Sequence, residues 1–138
     1  MSVQVTLSPE TIHAVITQYF AATRSTNKAE EMVACFAEDG VSYDPVGSPA
    51  VQGHAQLRAF FQKIAALFTE VELREDFISI SGHEAAVKWT GRGVGHNGQV
   101  VTFEGIDVFE LNAEGKIQSL KAYWNPEVML AAGLQVTA

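Results

Sequence analysis

From Val71 to Trp124 the chain reads as four consecutive stretches of strand character, "VELREDFISI", "EAAVKWTGRGV", "VVTFEGIDVFEL" and "KIQSLKAYW". Only the short turn signals "SGH", "HNGQ" and "NAEG" separate them. This run limits the possible folds more than any other feature, because strands joined by a few residues pair as antiparallel hairpins, whereas parallel neighbours need a crossover of about a dozen residues or more. What precedes the run is mostly helical. Ser8 and Pro9 read as an N-cap and a proline at the first helical position, and Ile12, Val15, Ile16, Tyr19 and Phe20 then recur at helical spacing to about Thr23. A second helix is expected from about Asn27, burying Met32 and Phe36 and ending at "AEDG", where Gly40 suits a left-handed cap. "VSYDPVG" opens like a strand and turns sharply, and a third helix carries Leu57, Phe60, Phe61, Ile64, Leu67 and Phe68 on one stripe. Asn125 and Pro126 cap a short terminal helix up to Gly133. Helices first and strands afterwards indicate an α+β fold in which an antiparallel sheet wraps around helices, and the absence of βαβ alternation disfavours a doubly wound sheet.

The 138 residues fit one domain, 1–138. At 47% hydrophobic and 18% charged residues the composition is that of a folded globular chain. A formal net charge of −7, with nine scattered basic residues, argues against nucleic acid or an anionic membrane as partner. The single cysteine, Cys35, excludes an intrachain disulfide, and "MSVQVTLSPE" has neither the basic region nor the apolar stretch of a signal peptide, so a cytoplasmic protein is expected. No apolar run approaches the ~20 residues that span a bilayer.

Splitting "VVTFEGIDVFEL" by its period of two places Val101, Phe103, Gly105, Asp107, Phe109 and Leu111 on one face and Thr102, Glu104, Ile106, Val108 and Glu110 on the other. Asp107 thus falls among apolar side chains, where an ionised carboxylate is costly and a neutral acid much less so, and a raised pKa is expected. Gly105 beside it is expected to leave room above the sheet. Tyr19 lies in the apolar stripe of the first helix with a hydroxyl that needs a partner when buried. Most such tyrosines are plain core residues, and Asp44 before Pro45 is also ordinary turn chemistry. Trp89 and Trp124 read as packing residues. His13, His54, His83 and His96 show no metal-ligand spacing, Cys35 reads as a small core residue, and neither a phosphate loop nor a serine elbow is present, so no metal or cofactor site is expected.

Four segments, "ITQYFAAT", "YDPVGSPAVQGHAQLRAFF", "EGIDVFELNAEGKIQ" and "KAYWNPEVM", together resemble the ketosteroid isomerases (steroid Δ5-isomerases) of the NTF2-like, SnoaL-like superfamily, over nearly the whole chain. The resemblance implies a cone-shaped α+β fold with a curved antiparallel sheet, an apolar pocket, a homodimer and no cofactor. It implies a reaction that moves a carbon–carbon double bond of a 3-oxosteroid into conjugation, with Asp44 as the general base and Tyr19 and Asp107 as hydrogen-bond donors to the dienolate oxygen. Phe61, Phe103, Trp124 and Met129 would line the pocket around an apolar, steroid-like ketone. One departure bears on how Tyr19 is tuned: some members carry a tyrosine where this chain has Phe61. Alternatives are a polyketide-cyclase-like or dehydratase-like enzyme acting on another enolisable substrate, a binding module for apolar ligands, and a protein-interaction scaffold.

Overall fold

The computed structural model describes residues 6–131 and 133. Helix α1 spans Pro9–Thr23; the Ser8 hydroxyl accepts from the Thr11 backbone N–H at 3.1 Å, satisfying one of the four orphan donors of the first turn. Its buried stripe, Ile12, Ile16, Tyr19, Phe20 and Thr23, has the expected helical spacing. Helix α2 is shorter than expected. It covers Lys28–Val33, and the chain is already strand β1, Phe36–Tyr43, where the sequence suggested a second helix continuing through "AEDG". Pairing overrides the local pattern here: Phe36 lies opposite Ile117. Gly40 is not a left-handed cap. A Cβ there would stand 2.9 Å from the Ile117 carbonyl oxygen, so this glycine permits close approach of two strands.

A two-residue strand β2, Val51–Gln52, leads into helix α3, His54–Ala65. Phe68, which helical spacing also placed on the α3 stripe, begins β3 (Phe68–Ser81), followed by β4 (Glu84–Gly95), β5 (Val100–Leu111), β6 (Ile117–Trp124) and helix α4 (Glu127–Ala131). Residue 132, within the expected terminal helix, and residues 1–5, within the stretch weighed as a leader, lie outside the described residues.

The strands form one six-stranded sheet in the order β2-β1-β6-β5-β4-β3. The hairpins β3–β4–β5–β6 are antiparallel as the short turns require, but β1 pairs with β6 in parallel, so the sheet is mixed and not wholly antiparallel. Between β1 and β6 the chain runs through β2, α3 and the strands β3 to β5, far more than the dozen or so residues that parallel pairing needs. Helix α1 packs on β3 and β4, and α3 on α2 and β1. Between them lies a core of Ile12, Ile16, Phe20, Phe36, Leu57, Val87, Phe109, Ile117 and Leu120, each 0–1% exposed. The face assignment of β5 holds: Val101, Gly105, Asp107, Phe109 and Leu111 are buried and Phe103 is half-buried, while Thr102, Glu104, Ile106 and Glu110 are exposed. Among the described residues no helix is long and apolar enough to cross a membrane.

Candidate active site

The inner face of the sheet and the helices enclose a slot whose walls include Tyr19, Asp44, Phe61, Trp89, Phe103, Asp107, Trp124 and Met129. All seven side chains singled out in the sequence thus meet in one place, together with Trp89. The slot is narrow: of about 680 Å³ of unfilled space, open mouth included, the centre of a water molecule can enter only about 100 Å³.

Register explains how the polar groups are placed. Trp89 of β4, Gly105 of β5 and Trp124 of β6 lie opposite one another in a row, and Val87, Asp107 and Ala122 form the row two residues along. Gly105 does not leave room, contrary to the expectation from sequence. A Cβ at Gly105 would stand 2.5 Å from Cζ2 of Trp89 and 3.0 Å from Cβ of Trp124, so the space is filled by the Trp89 ring. Seated there, Trp89 donates its Nε1–H to Oδ1 of Asp107 at 2.9 Å. On the other side of the row, Trp124 donates Nε1–H to Oδ1 of Asp44 at 2.6 Å. Each carboxyl group therefore has an indole donor of its own. Trp89 was read from sequence as packing, and it does pack; its donor role was detectable only by counting register to Gly105 and asking where a buried indole N–H goes.

The two carboxyl groups sit in unequal surroundings. Asp107, 3% exposed, is held well above the ordinary carboxylate range, first by burial and then by the charge of Asp44, with the Trp89 bond pulling the other way. Asp44, half-buried where β1 ends and joined to Pro45 by a cis peptide, is also raised by burial, and the Trp124 bond counters that rise. Both carboxyls are pushed upward, Asp107 the further.

Tyr19, 2% exposed, is fixed by edge-on contacts with Phe20, Phe36 and Phe109 at centroid distances of 5.4, 6.1 and 5.3 Å. Burial, then the charges of Asp107 and Asp44, raises its pKa well above that of a free phenol, so it remains a neutral O–H donor. Phe61 packs on Phe36 and Phe60, and Phe103 stacks on Phe68 at 6.4 Å and meets Trp89 edge-on. Met129 brings α4 onto the same cluster as Phe68 and Val101. A carboxyl biased toward its neutral form, a second one closer to ionisation, and a neutral phenol around an apolar slot can move a proton while stabilising charge on an oxygen.

Comparison with known proteins agrees with this architecture. Residues 16–120 match the model of the SnoaL-like domain. Over 119 residues the chain is 30% identical to a steroid Delta-isomerase of Nocardioides simplex, covering 86% of this chain and 94% of that protein. Among solved structures it is similar to SalBIII, an epoxide hydrolase/cyclase-like enzyme in pyran ring formation in the polyether salinomycin, with a TM-score of 0.76 and 26% identity over 84% of this chain and 92% of the other. A protein of Jannaschia sp. CCS1 assigned as a SnoaL-like polyketide cyclase has the same fold, with a TM-score of 0.79 at 17% identity, covering 91% and 94% of the two chains. The matched span, the curved mixed sheet packed on helices and the identity to the isomerase agree: the chain belongs to the SnoaL-like domain family.

Proposed function

We propose that the protein is a ketosteroid isomerase, moving a double bond from the β,γ to the α,β position of a 3-oxosteroid or a closely similar ketone. The observation that carries this reading is the pair of carboxyl groups, Asp107 buried and Asp44 half-buried, each held by a separate tryptophan and facing one narrow apolar slot beside Tyr19. The relative of 30% identity, itself a steroid Delta-isomerase, supports it.

In this mechanism the Asp44 carboxylate removes a proton from the carbon between the ketone and the alkene. The C–H electron pair moves into the ring system and places negative charge on the ketone oxygen, where Tyr19 and the neutral Asp107 each donate a hydrogen bond. Asp44 then returns the same proton two carbons further on, so atoms and charge balance and no cofactor takes part. Raising two carboxyl groups unequally separates acid from base, a pattern for which ketosteroid isomerase is itself a standard example. Asp44 as a base contributes ~10²–10⁴ in rate, and one donor to the oxygen ~10²–10³.

The reading includes a homodimer inside the cell. Phe77, Ile106 and Tyr123 are exposed in one cross-sheet row on the outer face, interrupted only by Lys88, which supports a second copy against that face. A second catalytic reading, opening or closing of an oxygen ring, is favoured by the likeness to SalBIII, since an acid and a base lining one slot serve that chemistry too.

The test is to mix the protein with 5-androstene-3,17-dione and follow the ultraviolet absorbance of the conjugated enone. Conversion that falls by ~10²–10⁴ in Asp44→Asn and by ~10²–10³ in Asp107→Leu is expected. Turnover no faster than buffer, with a steroid still bound, refutes the isomerase reading and leaves ring opening as the reaction to assay.

A further inference from the structure

The slot opens onto a second, wider groove. Lys28, Val71 and Glu72 line both, and the groove continues along Arg24, Glu70 and Arg92. It admits a water centre over about 520 Å³, and its lining carries three cations and two carboxylates in a chain of net charge −7.

Most of these charges already have a partner. Arg24 donates to the Leu73 carbonyl oxygen at 2.7 Å and faces Glu75 at 3.3 Å. Arg92 meets Glu70 at 3.4 Å, and Glu72 meets Arg74 at 3.3 Å. Lys28 differs. Its Nζ donates to the Ser25 carbonyl oxygen at 2.9 Å, and among the described residues no carboxylate lies within 4.0 Å of it. An ammonium has three donors, so two remain to be satisfied, and this one is half-buried against the wall of an apolar slot, where an uncompensated charge is costly.

We propose that the groove is a subsite for a carboxylate on the end of the ligand remote from its reacting ketone, with Lys28 as its counter-charge. This rests on the reading of the slot as a ketone site and narrows the substrate to acidic ketones. The apolar body lies in the slot with its ketone toward Tyr19 and Asp107. Its acidic appendage leaves past Val71 into the groove. Glu70 and Glu72, tied to Arg92 and Arg74, do not compete for Lys28.

The test compares 3-oxochol-4-en-24-oic acid with its methyl ester, which share a skeleton and differ in the distal charge, by quenching of tryptophan fluorescence. The acid is expected to bind about fivefold tighter than the ester, with the preference shrinking as salt is raised. Lys28→Gln abolishes that preference, and Lys28→Arg keeps it. An acid that binds no tighter than its ester, or a preference that survives Lys28→Gln, overturns the subsite. If androst-4-ene-3,17-dione binds and neither bile-acid derivative does, the groove excludes an appendage and the subsite fails while the slot reading stands. If none of the three binds, the slot reading fails and the subsite falls with it.

Discussion

Replacing Trp89 by phenylalanine tests whether the indole above Gly105 controls the proton on Asp107. The substitution keeps an aromatic ring in the seat left by Gly105 and removes one donor, the Nε1–H that reaches Oδ1 of Asp107 at 2.9 Å. That bond is stronger to the ionised acid, ~1.5–3 kcal/mol, than to the neutral one, ~0.5–1.5 kcal/mol, so its loss penalises the ionised form by about 1 kcal/mol more. At 1.36 kcal/mol per pKa unit, the acid should hold its proton to a pH higher by on the order of one unit. The direction agrees with the environment, in which burial and Asp44 raise Asp107 and only the Trp89 bond opposes them. Tyr19 on α1 and Asp44, just past the end of β1, are the other titratable groups of the slot that act on this cluster. The assay is the pH dependence of kcat/KM on an isomerisable ketone: the alkaline limb, where Asp107 ceases to donate, moves upward in Trp89→Phe. A limb that stays in place, or moves downward, refutes the claim that this bond bears on the ionisation of Asp107.

Three further outcomes follow from the same geometry. Gly105→Ala places a Cβ 2.5 Å from the Trp89 ring and 2.6 Å from the Tyr123 carbonyl oxygen, so chemical denaturation should show a loss of ~1–3 kcal/mol. In Trp124→Phe, Asp44 loses the bond that counters its burial, and the acid limb of kcat/KM should move to higher pH; an unmoved limb reduces Trp124 to packing. Because the folded pKa of Asp107 is raised, its contribution to stability is fully present below the unfolded value of about 3.9 and is lost as pH rises through the folded pKa. Asp107→Asn, which cannot ionise, should flatten the decline in Tm that sets in as pH rises above about 3.9.

Much of this was legible in the sequence where one periodicity governed a long element. The twelve residues of β5 alternate cleanly because one face is sealed by helices and the other meets solvent, so Asp107 could be assigned inward by counting. The Ser8–Pro9 start of α1 and the three hairpins follow from equally local chemistry. The stretch 34–40 was misread because buried Phe36 follows buried Met32 at helical spacing, and only β6, some eighty residues later, decides that Phe36 belongs to a strand. The parallel pairing of β1 was hidden for the same reason. At the slot, the residues could be named one at a time, whereas the two indole donors depend on cross-strand register and on how a ring fills the space above a glycine. Neither is written in any single segment.

The central claim is that Asp107 is neutral and Asp44 ionised at the same pH. Carbon-13 NMR of aspartate-labelled protein, with the two carboxyl signals assigned through Asp44→Asn and Asp107→Asn, measures it directly. The account predicts that Asp44 loses its proton first and that Asp107 still holds its own at neutral pH. Two carboxyls that both ionise in the ordinary aspartate range, or an Asp107 that ionises before Asp44, would contradict it.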